Sequence, residues 1–510
     1  MTARYDTETE RKYQVDDRAA VPRCDGDTDL RVAAVSEMQL DAVYFDTPAL
    51  ELHRRGITIR RRTGGDDEGW HVKIPRDADQ KTEIRHPLGR AVRTVPRGVV
   101  DPVRAIVRDQ PLVPVATITT HRTTYTLLDR DEPAARLCDD RVSARSLLDD
   151  GDQHPWREWE LEVVEGRKPR SVFASIEPAL LDAGARRAEH RSKLARVVAH
   201  HRPDQPPQEL KPGRKGGMGE LLGRRLAQQI SALHTHDAAV RGGSSEGVHR
   251  MRIAARRLRS ALTTTKPLFK QAPDELREEL RWLGQVLSPA RDAQVIRGRL
   301  EAALEAEPRE LVLGPALNRL RLELAREQSQ GLANAKEALD SARYYRLLDA
   351  LDTLAAVALL APPAAHARAR SVIGDLVKRD VKRLRRAVRA VAESDPDGRD
   401  QAMHEARKKA KRLRYAAELA TPAGGRRAKK LAKRAEAVQQ ALGGHQDSVV
   451  ARQRLRQLGA QSFLHGENGF TFGLLHGIER LHAEHAEQDF QKATARIPRP
   501  RTAAAWVAKP

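Results

Sequence analysis

Charged side chains that alternate along short segments are the first feature of this sequence that could carry out chemistry. Glu8, Glu10 and Lys12 are two residues apart, so on a β-strand their side chains would share one face. Arg60 and Arg62 would share a face in the same way. The other charged candidates in this part of the chain are Lys73, Lys81, Glu83, Arg85, Arg122, Asp140, Glu158, Glu160, Glu162 and Lys193.

This mixture of cations and carboxylates has a chemical use. A triphosphate needs several cations to hold its oxygens and to offset charge that develops in the transition state. Carboxylates hold Mg²⁺ or Mn²⁺, because these hard ions prefer oxygen ligands, and a metal that bridges phosphates can activate water. A pocket lined by both signs therefore suits metal-assisted hydrolysis of a phosphoanhydride. The alternative is a solvated sheet, because charged side chains are usually exposed.

A second candidate site comes from a repeat in the C-terminal half. A histidine–arginine pattern recurs 155 positions later (404 − 249), and a downstream aspartate recurs in the same register. Two separated motifs that share one register indicate a duplicated unit. The matched pairs are His249 and His404, Arg252 and Arg407, Arg256 and Lys411, Arg259 and Arg414, and Asp292 and Asp447.

Each copy of the repeat predicts a helix with a basic stripe. On a helical wheel, Arg252, Arg256 and Arg259 fall on the side of His249, and apolar residues such as Leu258 fall opposite. Like charges at this spacing repel by roughly a few tenths of a kcal/mol per pair, so we expect an anion to bind them. Arginine forks fit phosphate oxygens, and histidine can donate or take up a proton. The alternatives are a solvated stripe paired with acids on neighbouring helices and, for the histidines alone, a structural hydrogen bond.

Turn residues and periodicity predict an α+β chain of several domains. Short alternating segments indicate antiparallel strands with a few helices, a Pro- and Gly-rich segment indicates a linker, and long Ala/Leu/Arg-rich stretches indicate helices. The predicted parts are a strand domain at 1–200, a linker at 201–217, an all-helical duplicated domain at 218–490 with repeats of about 218–365 and 366–490, and a disordered tail at 491–510.

Composition narrows the class of partner. The 510 residues carry a net charge of +21, which favours a polyanion such as nucleic acid, an anionic membrane or polyphosphate. Only 4% of the residues are aromatic, which makes nucleic acid unlikely as a partner, since single strands bind by stacking on aromatic rings. Cys24 and Cys138 supply neither a disulfide framework nor a zinc-ligand set. No long apolar run is present, so we expect a cytoplasmic protein with no membrane partner.

The N-terminal motifs, taken in order, resemble the CYTH domain, one branch of the triphosphate tunnel metalloenzymes. The resemblance covers about residues 4–200. The matching segments are Glu8-Thr9-Glu10-Arg11-Lys12, Tyr44-Phe45-Asp46-Thr47, Thr58-Ile59-Arg60-Arg61-Arg62, Trp70-His71-Val72-Lys73, Thr119–Tyr125, Asp139-Asp140-Arg141, Trp156–Val163 and Ser192-Lys193.

The resemblance implies an eight-stranded antiparallel tunnel open at both ends, with Mg²⁺ or Mn²⁺ as cofactor. It implies that Glu8, Glu10 and Lys12 take part in catalysis. The residues implied to lie near metal are Glu8, Glu10, Asp140, Glu160 and Glu162. The residues implied to hold phosphates are Lys12, Arg60, Arg62, Lys73, Lys81, Arg85, Arg122 and Lys193, with Lys81 and Arg85 competing for one role.

The duplicated helical half, about residues 218–490, resembles the CHAD domain. That resemblance implies a pseudo-twofold helical bundle that binds inorganic polyphosphate through both basic stripes. Four acids of the first repeat correspond to bases of the second, so Lys430 and Lys433 are expected to extend a lopsided basic surface; the alternative is that these two helices pair across the pseudo-twofold. The corresponding residues are Asp274, Glu275, Glu278 and Glu279 in one repeat, and Lys429, Lys430, Lys433 and Arg434 in the other.

Together the two resemblances predict a metal-dependent triphosphatase joined to a polyphosphate-binding domain. The helical half would feed the tunnel, tether the protein to polyphosphate granules, or regulate hydrolysis. The first alternative is a polyphosphate-binding protein without catalysis. A nucleotidyl cyclase ranks lower, because no segment supplies an obvious adenine pocket, and a nucleic-acid binder ranks last.

Overall fold

The computed structural model of the chain forms two compact units, Met1–Gln208 and Glu209–Pro510. The predicted linker lies almost entirely outside the described residues. The structure describes residues 4–22, 30–77, 79–90, 94–129, 132–149, 153–201, 217–314, 316–356, 360 and 362–508.

The first unit is a closed antiparallel barrel of eight strands, as predicted. The strands follow the order β5-β4-β3-β2-β6-β7-β8-β1, and β1 also pairs with β5, which closes the sheet. A two-residue strand, β9 (Arg186–Arg187), pairs with the end of β1. The eight strands are β1 (Arg4–Gln14), β2 (Leu30–Asp46), β3 (Thr58–Thr63), β4 (Gly69–Pro75), β5 (Gln80–His86), β6 (Val113–Asp129), β7 (Glu132–Ser146) and β8 (His154–Val163).

Alternation along the strands gives the barrel an apolar outer face and a charged inner face. Outside, Trp159 and Leu161 pack against Phe173 of α3 (Pro169–Asp182). On another side, Phe45 and Trp70 pack with the valines of two short helices, α1 (Arg97–Val100) and α2 (Arg104–Val107). Because the apolar residues pack against helices on the outer face, the charged residues that alternate with them point into the barrel.

One end of the barrel is filled by α4 (Lys193–Val197), so the expectation of a tunnel open at both ends is wrong. Ser192 caps this helix by accepting a hydrogen bond from the Ala195 amide. Leu194 and Val197 pack against inward-facing apolar residues, including Ala144 and Trp156. These strand residues face inward without charge, and the helix removes them from water. The same helix carries Lys193 to the inner surface.

The second unit is entirely helical. One of its spans, α13, consists of two helical segments, because Gly425 has a φ of 59° in the left-handed region. None of the described helices is both long and apolar enough to cross a membrane. The helices are α5 (Met218–Arg241), α6 (Ser245–Thr265), α7 (Asp274–Val286), α8 (Ser288–Glu305), α9 (Ala316–Leu339), α10 (Ala342–Ala356), α11 (Pro362–His366), α12 (Ala369–Glu393), α13 (Pro396–Leu464), α14 (Phe470–Ala495) and α15 (Pro500–Ala508).

The helices follow the 155-residue repeat found in the sequence. Adding 155 places α5, α6 and α9 on α12, the first segment of α13 and α14. It also places α7 and α8 together on the second segment of α13, which is continuous where the first repeat has a break. The apolar face of α6 is buried as predicted, with Met251 and Leu258 inaccessible to solvent.

The prediction of a disordered tail at 491–510 is wrong for the residues described there. Helix α14 continues to Ala495, and α15 follows, with Ala503 and Val507 buried. The run of alanines favours a helix, and its buried face packs on α12 and α13. In the repeat, α15 takes the place that α10 has in the first copy, so the second repeat extends beyond residue 490.

Candidate functional site

The inner face of the barrel encloses a cavity of about 460 Å³ that brings nearly all predicted tunnel residues together. Two predicted residues, Asp140 and Glu158, are outside its lining; both are buried, and both contact the lining cation Lys193. The predicted residues that line the cavity are Glu8, Glu10, Lys12, Arg60, Arg62, Lys73, Lys81, Arg85, Arg122, Glu160, Glu162 and Lys193.

A first group of carboxylates consists of Glu8, Glu10 and Glu162, which can place oxygens within 4.8 Å of one another. Glu8 accepts a hydrogen bond from Lys73 at 2.7 Å, and Glu10 accepts one from Lys81. These bonds use one oxygen of each acid. The second oxygens, Glu8 Oε2 and Glu10 Oε2, are buried and have no hydrogen-bond partner among the residues described.

The two central acids of this group titrate differently. Burial, helped by the neighbouring charge of Glu10, raises the pKa of Glu8. Burial would also raise the pKa of Glu10, but Lys12 and Lys81 together hold it well below its ordinary value. Glu10 therefore favours the ionised form, whereas Glu8 takes up a proton more readily and would gain more from a cation beside it.

A second group of carboxylates, Asp140, Glu158 and Glu160, surrounds the ammonium of Lys193. The Nζ atom lies 2.7 Å, 2.9 Å and 2.6 Å from oxygens of these three residues. Arg122 adds a bidentate contact to Asp140, with N–O distances of 2.7 Å and 2.6 Å. This group is therefore already neutralised by side chains of the protein. Sequence reasoning placed Asp140 and Glu160 near metal and Lys193 near phosphate, but here they contact one another.

The wall formed by β3, β4 and β5 is organised around Glu83. Arg85 donates two hydrogen bonds to it, at 2.8 Å and 2.5 Å, and His71 Nδ1 lies 3.0 Å away. Burial lowers the pKa of His71 to about 4, so the ring is neutral near pH 7. Sequence reasoning named Glu83 as a charged candidate but gave it no specific role. Its position two residues from both Lys81 and Arg85 on one strand face was the available signal.

Two further cations of this wall have partners that the sequence did not suggest. Arg62 forms an ion pair with Asp67, which follows the glycine turn after β3. Arg60 donates a weak hydrogen bond to the hydroxyl of Tyr44 at 3.4 Å, on the neighbouring strand. Among the described contacts no carboxylate is bonded to Arg60, although the charges of Glu83 and Glu8 act to raise its pKa, so Arg60 can bind a phosphate without first losing a carboxylate contact.

In the helical unit, α6 and α13 bring the centres of the two stripes together. Arg252 donates to Asp292 at 3.0 Å, and Arg256 donates to the Tyr415 hydroxyl at 2.5 Å. Burial lowers the pKa of Lys411 to about 7, and the nearby charges of Arg407, Arg256 and Arg252 act in the same direction. These interactions bring the centres of both stripes into one cationic cluster.

The outer members of the stripes have more varied surroundings. Arg414 is paired with Glu418 at 2.8 Å and Glu436 at 3.0 Å, and His404 lies 3.2 Å from Gln446. Burial, followed by the charge of Arg281, lowers the pKa of Arg259. Burial, followed by Arg291, lowers the pKa of His249. Arg414 is thus the stripe member most fully compensated by acids.

Among the described residues, no hydrogen bond, ion pair or ring contact joins the predicted basic extension to this cluster. Lys430 lies over the ring of Trp506 at 5.9 Å, and Lys433 is exposed. The acids of α7 have other partners: Asp274 binds Lys266 and Arg277, and Glu279 binds Arg343. Within the described part of the chain, no ion pair joins these acids to the matching bases of α13, so their pairing across the pseudo-twofold is not observed.

Comparison with known proteins identifies both units. A family model of the CYTH domain matches residues 6–197, and one of the CHAD domain matches residues 224–456. Uncharacterized protein Rv2226 of Mycobacterium tuberculosis is 39% identical over 506 residues, which cover 96% of each chain. The chain therefore belongs to the family in which a CYTH domain is followed by a CHAD domain.

Solved structures include similar proteins. PptA from Streptomyces chartreusis matches with a TM-score of 0.47 at 24% identity, over 55% of this chain and 100% of that chain. The CHAD domain from the plant Ricinus communis matches with a TM-score of 0.41 at 24% identity, over 60% of this chain and 96% of that one.

Proposed function

We propose that the barrel is a metal-dependent hydrolase of inorganic tripolyphosphate or a related triphosphate. The observation that carries this proposal is the enclosed cavity of about 460 Å³ whose lining interleaves carboxylates with at least seven cations. A cavity of this composition suits an anion that arrives with a cation. It excludes an apolar ligand, because the charged side chains would lose their hydration without compensation.

The first carboxylate group fits a divalent metal. Glu8, Glu10 and Glu162 offer oxygen donors only, which suits Mg²⁺ or Mn²⁺ better than a softer ion. The buried and unpartnered Oε2 atoms of Glu8 and Glu10 leave donor capacity for such an ion. A metal held there would offset charge on the phosphates and lower the pKa of a bound water.

The residues of the chain would divide the remaining work by position. Arg60, which has no carboxylate bonded to it among the described contacts, would bind phosphate oxygens directly. Lys73 contacts Glu8, and Lys81 contacts Glu10. When a metal binds these carboxylates, the two lysines would weaken their contacts with them and bind phosphate oxygens instead. Burial lowers the pKa of Lys12 to about 8, so this residue can both release and take up a proton near neutral pH.

Phosphate release from tripolyphosphate in the presence of Mg²⁺ or Mn²⁺ tests the proposal. Glu8→Gln should lower the rate at least about a hundredfold, because even residues behind a metal ligand typically contribute ten- to a hundredfold. Glu165→Gln is the control, since Glu165 lines the same cavity but is exposed at its rim. Equal rates in both variants would contradict the metal assignment. Retained binding of tripolyphosphate without turnover in wild type would favour a non-catalytic binding protein.

We further propose that the central cluster of the helical unit binds inorganic polyphosphate and would hold the protein at polyphosphate granules. Burial lowers the pKa values of Arg407 and Lys411 on α13, and the charges of Arg252 and Arg256 on α6 act in the same direction, so a polyanion between the two helices would relieve this repulsion. Arginine forks supply the geometry that phosphate oxygens accept.

Binding of long-chain polyphosphate by the full chain, measured at several salt concentrations, tests this second proposal. Arg407→Gln combined with Lys411→Gln should weaken binding, because phosphate contacts displace counterions and each lost contact lowers the salt dependence by about one. Lys429→Gln combined with Lys433→Gln, two exposed lysines of α13, is the matched control. A larger loss of affinity in the control variant would show that polyphosphate binds at the predicted lopsided basic surface instead.

A further inference from the structure

A second cationic cavity, of about 400 Å³, lies within the helical unit and shares no lining residue with the basic stripes. It is formed by the end of α6, by α7, by α12 and by α13. Its charged lining consists of five cations and one carboxylate: Lys266, Arg277, Arg379, Arg383, Arg412 and Asp380.

The acids around this cavity leave positive charge in excess. Asp380, which is 2% exposed, lies 2.8 Å from both Arg383 and Arg412. Asp274, outside the lining, pairs with Lys266 and Arg277. Two carboxylates therefore face five cations.

The cavity also contains polar atoms whose bonding capacity is unused. Asp380 Oδ2 and Thr264 Oγ1 are buried, and neither has a hydrogen-bond partner among the residues described. Buried polar atoms of this kind cost free energy unless something satisfies them. A hydroxyl can donate to an anion, and water or a protonated phosphate can donate to the carboxylate.

The equivalent position of the other repeat carries a glutamate that the cavity lacks. Adding 155 places Arg257 on Arg412 and Thr263 on Glu418. At this equivalent position, the Glu418 carboxylate lies 3.2 Å from Arg225 and 3.4 Å from Arg257. At the cavity, Thr263 stands where the other repeat has this glutamate, and Thr263 lines the cavity.

We propose that this cavity binds a short phosphate anion, of the pyrophosphate or tripolyphosphate class, in the place that Glu418 fills in the other repeat. Arginine forks bind phosphate oxygens in bidentate fashion, and Asp380 fixes the orientation of two of them. The volume falls within the range of about 300–1,000 Å³ that is typical of small-molecule sites. The site goes beyond the proposed function, because it requires neither hydrolysis in the barrel nor binding by the stripes.

Protection of single arginines from phenylglyoxal, read by mass spectrometry on the full chain without metal, tests this site. Arg412 and Arg257 form a matched pair, since their side chains are 28% and 30% exposed and each lies beside one carboxylate. Pyrophosphate or tripolyphosphate at ten times its Kd should slow modification of Arg412 about tenfold, and Arg257 should react as before. Equal protection of both residues, or none at Arg412, would overturn the proposal.

Two variants and two other anions sharpen the test. Thr263→Glu supplies the carboxylate of the other repeat and should abolish the protection of Arg412. Arg379→Gln changes an exposed side chain and should weaken protection about tenfold without affecting folding. Unchanged protection in both variants would contradict the assignment. Protection by long-chain polyphosphate alone would make the cavity part of the polymer surface, and equal protection by sulfate would show an adventitious ion only; either result would overturn the proposal.

Discussion

The inner face of the barrel and the central cluster of the helical unit are both rich in cations, but they compensate charge in opposite ways. In the barrel, Lys73, Lys193 and Arg122 each contact a carboxylate within 2.7 Å. In the helical cluster, Arg407 Nε is buried without an acceptor among the described residues, and Lys411 is surrounded by arginines. The barrel is therefore largely compensated before any ligand arrives, whereas the cluster keeps an excess of positive charge beside Asp292 and Asp447.

This difference predicts two modes of binding. A ligand of the barrel must replace contacts that already exist, so a metal and a phosphate would enter together and exchange with lysine–carboxylate pairs. A ligand of the helical cluster adds contacts that the free protein lacks. The first mode favours selectivity for a particular charge arrangement, and the second favours affinity for any sufficiently long polyanion.

The largest expected effect is on the stability of the barrel. Asp140→Asn should lower the free energy of unfolding of this unit by about 3 kcal/mol, because a buried ion pair that loses one partner leaves uncompensated charge. Arg122 and Lys193 would lose Asp140, one of the two carboxylates that they share, and would then share only Glu160. Denaturant unfolding measures the change. The control is Asp292→Asn. The Asp292 side chain is 59% exposed, so this substitution should cost less than about 1 kcal/mol. Equal losses in the two variants would show that the barrel and the helical cluster do not differ in how their charges are compensated.

An effect of opposite sign is expected in the helical cluster. Lys411→Met should raise the free energy of unfolding by about 0.5–2 kcal/mol, the usual gain when an unfavourable charge is removed. The burial of Lys411 among Arg407 and Arg256 is the reason. Thermal and denaturant unfolding measure it, with Lys408→Met as the control, since Lys408 is 54% exposed and pairs with Glu405. A loss of stability in Lys411→Met would show that the cluster is already compensated.

The smallest expected effect is on pH dependence. Free Lys411 has its pKa lowered to about 7, chiefly by burial, and an anion would raise it again. Affinity for polyphosphate should therefore be full below pH 7 and should fall above it, by no more than about tenfold per pH unit, because binding then requires proton uptake.

The charges that face Lys411 are Arg252 and Arg256 of α6 and Arg407 and Asp447 of α13. The arginines keep their charge across this pH range. Lys411→Arg should therefore flatten the profile measured at constant ionic strength. The same slope in that variant would exclude Lys411 as its origin.

Much of the barrel could be predicted because alternation fixes which side chains share a face. Glu8, Glu10 and Lys12 line the cavity together, as two-residue spacing predicted, and the register of β1 and β8, which was not predicted, places Glu10 opposite Glu162 and Lys12 opposite Glu160. The contact of Lys193 with the acids of β7 and β8 could not be predicted, because it depends on how α4 packs into the end of the barrel. Nothing in the sequence between Asp140 and Lys193 indicates that packing.

The helical unit shows a similar division. The duplicated register predicted that both copies carry a basic stripe but not that the stripes meet, and the tail was predicted to be disordered. Applying the repeat beyond residue 490 would have matched α15 to α10. The tertiary burial of Ala503 and Val507, which local composition does not encode, stabilises this helix.

The most direct test of the central claim, that the inner face of the barrel holds a divalent metal with a triphosphate, is a crystal structure of the full chain grown with Mn²⁺ and a non-hydrolysable triphosphate analogue. We predict an anomalous manganese peak bonded to Glu8 and Glu10, with phosphate oxygens at Arg60 and Lys73. Manganese and phosphate bound only outside the barrel, with the lysine–carboxylate contacts of the cavity unchanged, would contradict it.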